Sequence, residues 1–97
     1  MNKPGRRISV GVRPEATRSE SVATEMWGLQ ASVVLKRAMR ERGWGYSELS
    51  EALKPLGIKR SAAVINRRIN RGNFNAGFLL ACLQAMRFAL DVRREER

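Results

Sequence analysis

The run Asn66-Arg67-Arg68-Ile69-Asn70-Arg71 concentrates the most specific chemistry in the chain. An arginine guanidinium donates two parallel hydrogen bonds to guanine O6 and N7, and an asparagine amide pairs in the same way with adenine N6 and N7. Lysines of equal charge would attract an anion without that geometry. The run lies in a long acid-free interval. Between Glu51 and Asp91 no carboxylate occurs, whereas Lys54, Lys59, Arg60, Arg67, Arg68, Arg71 and Arg87 all do. A face built only for solubility mixes Glu with Lys, which gains i,i+4 pairs and lowers self-repulsion. Here the charges at 67, 68 and 71 repel one another until an anion arrives, and phosphates answer that need by releasing their condensed counterions.

Other chemistry has little to draw on. The chain has no His and one Cys, so metal-ligand spacing and a His-activated nucleophile are both missing. Gly43-Trp44-Gly45 lacks the further glycine and the flanking strand of a phosphate-binding loop. Neither an enzyme nor a cofactor or metal site is expected. Cys82 falls in an apolar helical pattern and reads as core filler, in keeping with a reducing compartment. Trp27 and Trp44 are the aromatic types that stack on single-stranded bases. Trp27 lies on an apolar stripe and Trp44 follows a helix-ending glycine, so packing is expected of both.

Four helices would position these residues. Trp27, Ala31, Val34, Leu35, Ala38 and Met39 recur at three- and four-residue spacing, which predicts a helix over Glu25–Arg42 closed by Gly43. A second helix runs from Tyr46 toward Leu56 with Leu49, Ala52, Leu53 and Leu56 inward. Pro55 removes a donor and disfavours helix at Lys54, so the regular turns stop near Leu53 and residues 54–59 connect onward. The third helix spans Arg60–Arg71, with Ile65 and Ile69 inward and Gly72 closing it. Ala63, Asn66, Arg67, Asn70 and Arg71 then point away from the core. A fourth starts from Asn75 as N-cap and carries Phe78, Leu79, Cys82, Leu83, Met86 and Leu90 on a wide apolar face. With no β-alternation, the fold class is all-α.

Several of these features together resemble a known pattern. A helix ends at Gly43, Tyr46-Ser47-Glu48-Leu49-Ser50-Glu51-Ala52-Leu53 follows, and Gly57-Ile58 leads into a short helix ending at Gly72. This order resembles the lambda-repressor-like (Cro/C1-type) helix-turn-helix domains over residues 29–90. A nearer likeness is to the bacterial family catalogued as domain of unknown function 6471, carried by Tyr46-x-x-Leu49, Ile69-x-Arg71-Gly72-x-Phe74 and Phe78-Leu79-Leu80-x-Cys82-Leu83. The first resemblance implies a compact domain of four to five helices whose third helix enters a DNA groove. It implies base reading by Arg60, Ser61, Ala63, Asn66, Arg67 and Asn70, and phosphate contacts by Tyr46, Lys54, Lys59, Arg68 and Arg71. For Tyr46, packing against the first helix is an equal expectation, and Arg68 lies nearer the core edge, where its stem would cover apolar surface. Two departures stand out. Leu49 and Ile65 are separated by about five residues more than the resembled pattern, and Gly45 stands where a capping Ser or Thr is usual.

The whole chain fits this reading. Ninety-seven residues allow one core, and Lys+Arg 19 against Asp+Glu 9 gives a net charge of +10, a field that gathers polyanions. Residues 1–24 hold Pro4, Gly5, Gly11 and Pro14 among scattered cations and read as a flexible basic arm, residues 25–92 as the domain, and 93–97 as a charged tail. No membrane span or secretory leader is apparent, so a cytoplasmic, nucleoid-associated protein is expected. Duplex DNA is the leading partner. A single small module gains little affinity alone, so a homodimer is expected, through the last helix with Leu90 and Val92 or through the arm. RNA binding or non-specific DNA coating would use the same arginines. A protein-interaction adaptor would instead use the apolar surface of the fourth helix.

Overall fold

The computed structural model describes the backbone of residues 12–95 and the side chains of residues 19–95. These residues form four α-helices and no strand: α1 Val12–Arg42, α2 Tyr46–Leu53, α3 Ala62–Arg71 and α4 Ala76–Ala85, with a 3-10 turn Lys54–Leu56 after α2. Apolar residues at helical spacing meet in one core. Leu35, Ala38 and Met39 come from α1, Leu49 and Leu53 from α2, Ile65 and Ile69 from α3, and Phe78, Cys82 and Leu83 from α4, with Met86 at its cap. The Cys82 thiol is fully buried, and desolvation pushes its pKa up to about 12 despite the opposing charge of Arg68. It is held neutral and packs as a small hydrophobe.

The first helix begins earlier than its apolar pattern suggests. It starts at Val12 instead of Glu25, so residues 12–24, expected to belong to a flexible arm, are helical. Pro14 stands in the first turn, where a backbone N–H has no intrahelical acceptor, and neither Gly nor Pro interrupts residues 15–27. The rest of the expected arm, residues 1–11, lies outside the described residues, as do 96–97 at the tail.

The extra length changes what α1 buries. Trp27 and Val34 are on the expected stripe, yet Trp27 is 74% exposed and Val34 49% exposed. The cause is where the other helices stop. Toward its N-terminus α1 crosses the end of α3 at Gly28, whose backbone lies directly against Gly72, and one turn earlier Thr24 and Glu25 still line a hollow with Arg71. A Cβ on Gly72 would stand 2.6 Å from the Gly28 carbonyl oxygen, and one on Gly28 would overlap the Gly72 carbonyl. Only two glycines allow this crossing. Trp27 is turned about 100° from Gly28 and so misses the contact.

Helix ends are closed in different ways. Gly43, Gly57 and Gly72 each take a positive φ, as helix-terminating residues do. Trp44, half-buried against the core as expected, donates its N–H to the Met39 carbonyl at 2.9 Å. The Arg42 guanidinium lies 4.6 Å from the centre of the Trp44 ring and donates to the Met86 carbonyl at 2.8 Å, which ties the end of α1 to the end of α4. The fourth helix stops at Ala85. Phe88 N–H reaches the Leu83 carbonyl at 2.8 Å and Arg87 N–H the Gln84 carbonyl at 3.0 Å, the pair of bonds that ends a helix in a left-handed turn. Leu90 and Val92 consequently lie beyond α4 and do not extend its apolar face. They are exposed, at 60% and 88%.

Candidate nucleic-acid interface

The polar face of α3 depends on how the chain is delivered to its first turn. After Leu53 the 3-10 turn takes Pro55 as its second residue, and Gly57 at φ 92° reverses the chain. Ile58 N–H returns to the Leu53 carbonyl at 3.2 Å, and its side chain packs on the core. The five or so additional residues of this connection are thus folded onto α2. Ser50, buried in α2, donates its hydroxyl to the Arg60 carbonyl at 2.6 Å. That bond fixes the residue two before α3. The spacing of the apolar residues gives no sign of it, because Ser50 reads as one more polar residue beside the Leu49 and Leu53 stripe.

Helix α3 starts at Ala62, so Arg60 and Ser61 precede it instead of forming its first turn. Ser61 is the N-cap, its hydroxyl oxygen accepting from Val64 N–H at 3.2 Å. The β-region backbone of a cap residue explains the shift, since Ser is favoured there and less so one residue inside. Helix α2 begins with a comparable substitute. Gly45 has no side chain to cap with, but the Glu48 carboxylate accepts from its N–H at 2.8 Å.

Along α3, Ile65 and Ile69 are fully buried, and Ala63, Asn66, Arg67, Asn70 and Arg71 are exposed. Ala63, Asn66, Arg67 and Asn70 fall within one arc of about 100° opposite the isoleucines. Two of them are already in contact. The Asn70 amide donates to the Asn66 side-chain oxygen at 2.6 Å, to the Asn66 carbonyl at 2.9 Å and to the Tyr46 hydroxyl at 3.0 Å. Tyr46 is half-buried against the core, so it links the start of α2 to the outer face of α3.

The other cations expected at the site divide into three places. Lys54, Lys59 and Arg60 line a hollow with Ser47, Ser50 and Ser61 at the start of α3, where the first-turn amides carry the positive end of the helix dipole. Lys54 there is paired with Glu51 at 2.8 Å, so part of its charge is answered within the protein. Arg68 lies on the opposite side of α3 from Asn66, half-buried, its guanidinium 5.0 Å from the centre of the Phe78 ring. It is set against α4 and the Gly57–Arg60 connection, off the outer face. Arg71 lies at the far end of α3 beside Thr24, Glu25 and Leu29 of α1. The fold therefore gathers Lys59 and Arg60 at one end of the outer face and Arg71 at the other.

No curated protein and no solved structure matches the chain. A family model described as a domain of unknown function (DUF6471) matches residues 27–90. Those residues run from the part of α1 that meets α3 through the end of α4, and so contain every core residue and every member of the candidate face. The chain belongs to this family.

Proposed function

We propose that this protein binds double-stranded DNA in a sequence-specific manner, with α2, the connection and α3 acting as a lambda-repressor-like helix-turn-helix unit. In this reading α3 enters the major groove, and Ala63, Asn66, Arg67 and Asn70 meet base edges. Lys59, Arg60, Lys54 and the α3 amides take a phosphate at one flank, and Arg71 takes one at the other. Ser61 serves the site by capping α3, Tyr46 by holding Asn70, and Arg68 by packing on Phe78 while reaching toward the Lys59 side. The role that fits such a module is transcriptional control in a bacterium, a phage or a mobile element, carried out on the nucleoid.

One observation carries this reading. An exposed helix face of Ala, Asn and Arg is flanked at both ends by cations, in a stretch from residue 52 to residue 90 with no carboxylate. The Asn66–Asn70 hydrogen bond keeps both amides on that face in the unbound protein, and a base edge would exchange for it. Because a face of this kind also attracts RNA, the test must separate charge from reading.

Selected duplex should outcompete scrambled duplex and structured RNA by 10³-fold or so, the lower range for specific over non-specific binding. Arg71→Ala should weaken binding to all duplexes alike and reduce the salt slope by about one. Asn66→Ala and Arg67→Ala should each cost about 1–3 kcal/mol and relax preference at particular base pairs. Equal losses on every sequence for all three variants would exclude base reading by this face.

A further inference from the structure

The side of α1 turned away from the domain carries an apolar stripe that the other described helices leave uncovered. Val22, Met26, Leu29 and Val33, at 51%, 62%, 50% and 46% exposure, follow one another at spacings of four, three and four residues. They therefore lie in one line along the helix, on the side away from Gly28 and Leu35, which face the domain. Trp27 and Val34 are exposed too, but they lie more than about 100° round the helix from that line, beyond Ala23 and Gln30. From Met26 to Leu35 the helix bears no charged residue. A solvated helix face of this length ordinarily alternates charges, and the rest of this strongly basic chain has them in plenty.

We propose that this stripe is a homodimer interface, on which the α1 helix of a second copy docks antiparallel. The heptad-like spacing is that of a two-helix seam. Charge selects the orientation. Lys36 and Arg40 continue the line beyond Val33 at spacings of three and four residues, so a parallel, in-register pair would set each of these cations against its own copy. With Met26 of one copy level with Leu29 of the other in an antiparallel pair, Val22 meets Val33, and Lys36 comes level with Ser19 of the second copy. A two-fold axis between Met26 and Leu29 makes the surface complementary to itself, as a closed dimer requires.

The size is that of a small seam. The four side chains in the line offer roughly 350 Å² per copy, an interface of the weak, reversible class. Neutrality over residues 26–35 makes the stripe a poor nucleic-acid surface, since no cation stands on it. Ala63, Asn66, Arg67 and Asn70 of α3 are not on the stripe, whereas Arg71 lies beside it, near Leu29, and the dimer is proposed independently of the DNA reading.

The test uses the full chain without nucleic acid. Sedimentation equilibrium from about 1 to 100 μM, a span chosen around the micromolar affinity of a small seam, should show a mass twice the 11.0 kDa of the chain at the upper end. Met26→Glu combined with Val33→Glu should leave a monomer throughout, with unchanged helicity because both side chains are exposed. Leu29→Gln, a milder change, should raise the dissociation constant at least tenfold. For the orientation, Val22→Cys and Val33→Cys chains are oxidised separately and mixed. An antiparallel seam gives the mixed disulfide on mixing and neither self-disulfide. A monomeric wild-type chain at every concentration, a dimer indifferent to the glutamates, or self-disulfides in place of the mixed one would each overturn the proposal. Arg67→Ala leaves the mass unchanged in the same assay, so failure of the DNA reading and failure of the dimer are told apart.

Discussion

At the scale of single residues, glycines show how the same amino acid is retained for opposite reasons. Gly28 and Gly77 both stand in helices, where glycine costs about 1 kcal/mol relative to alanine. At Gly77 an added Cβ meets only the Asn75 side-chain oxygen, at an ordinary 3.4 Å, whereas at Gly28 it meets the backbone of Gly72. Gly77→Ala should therefore stabilise the protein by roughly 0.5–1 kcal/mol. Gly28→Ala should destabilise it by about 1–3 kcal/mol, because neither helix backbone can yield without disturbing the core behind it. Denaturant midpoints of the two variants check this directly. Equal signs would mean that the α1–α3 crossing is not close. The glycine at 28 reads in the sequence as a weak point in a helix, and only the neighbouring Gly72 explains its presence.

At the scale of elements, α3 is short and owes its position to its surroundings. Ten residues are marginal as an isolated helix, so the Ser61 cap, the Ser50 bond to Arg60 and the buried isoleucines hold it in place. The end of α4 offers a sharper test of local strain. Arg87 occupies the left-handed turn at φ 68°, a position that glycine takes without penalty and other L-residues take at about 1–2 kcal/mol. Arg87→Gly should stabilise the fold by about 0.5–1 kcal/mol once the greater freedom of glycine in the unfolded chain is set against that relief. A rise in thermal midpoint of a few degrees would register it. A fall would show that the Arg87 side chain contributes more than its backbone costs.

At the scale of the whole molecule, charge acts on folding and on the proposed binding in opposite directions. A net charge of +10 on a small domain opposes compaction through self-repulsion, and added salt screens it. Between about 20 and 300 mM sodium chloride, screening distances shrink by several-fold, and the thermal midpoint of the free protein should rise by a few degrees. Duplex affinity should fall steeply over the same range. Circular dichroism melts paired with binding titrations check both slopes. A midpoint that falls with salt would mean that stabilising ion pairs outweigh the repulsion among the arginines.

The helix class, the core residues Leu35, Leu49, Leu53, Ile65, Ile69, Phe78 and Cys82, the stop enforced by Pro55 and the cap at Asn75 were all determined by the sequence itself. Each follows from a local rule, either the period of the apolar residues or the chemistry of a helix end. The outer face of α3 follows too, since the isoleucines four apart dictate which residues oppose them. Other features came from tertiary structure alone. Trp27 and Val34 keep a perfect apolar period yet remain outside, because periodicity says which residues share a face and nothing about whether another element covers it. The sequence places Arg68 nearer the core edge than Arg71, but only the fold gives it the Phe78 ring as its partner. Even the chemistry of the Asn66–Arg71 run is qualified in this way. Its residue types were plain in the sequence, but the mutual hydrogen bond of Asn66 and Asn70, with the Tyr46 hydroxyl beside it, was decided by the packing of α2 against α3.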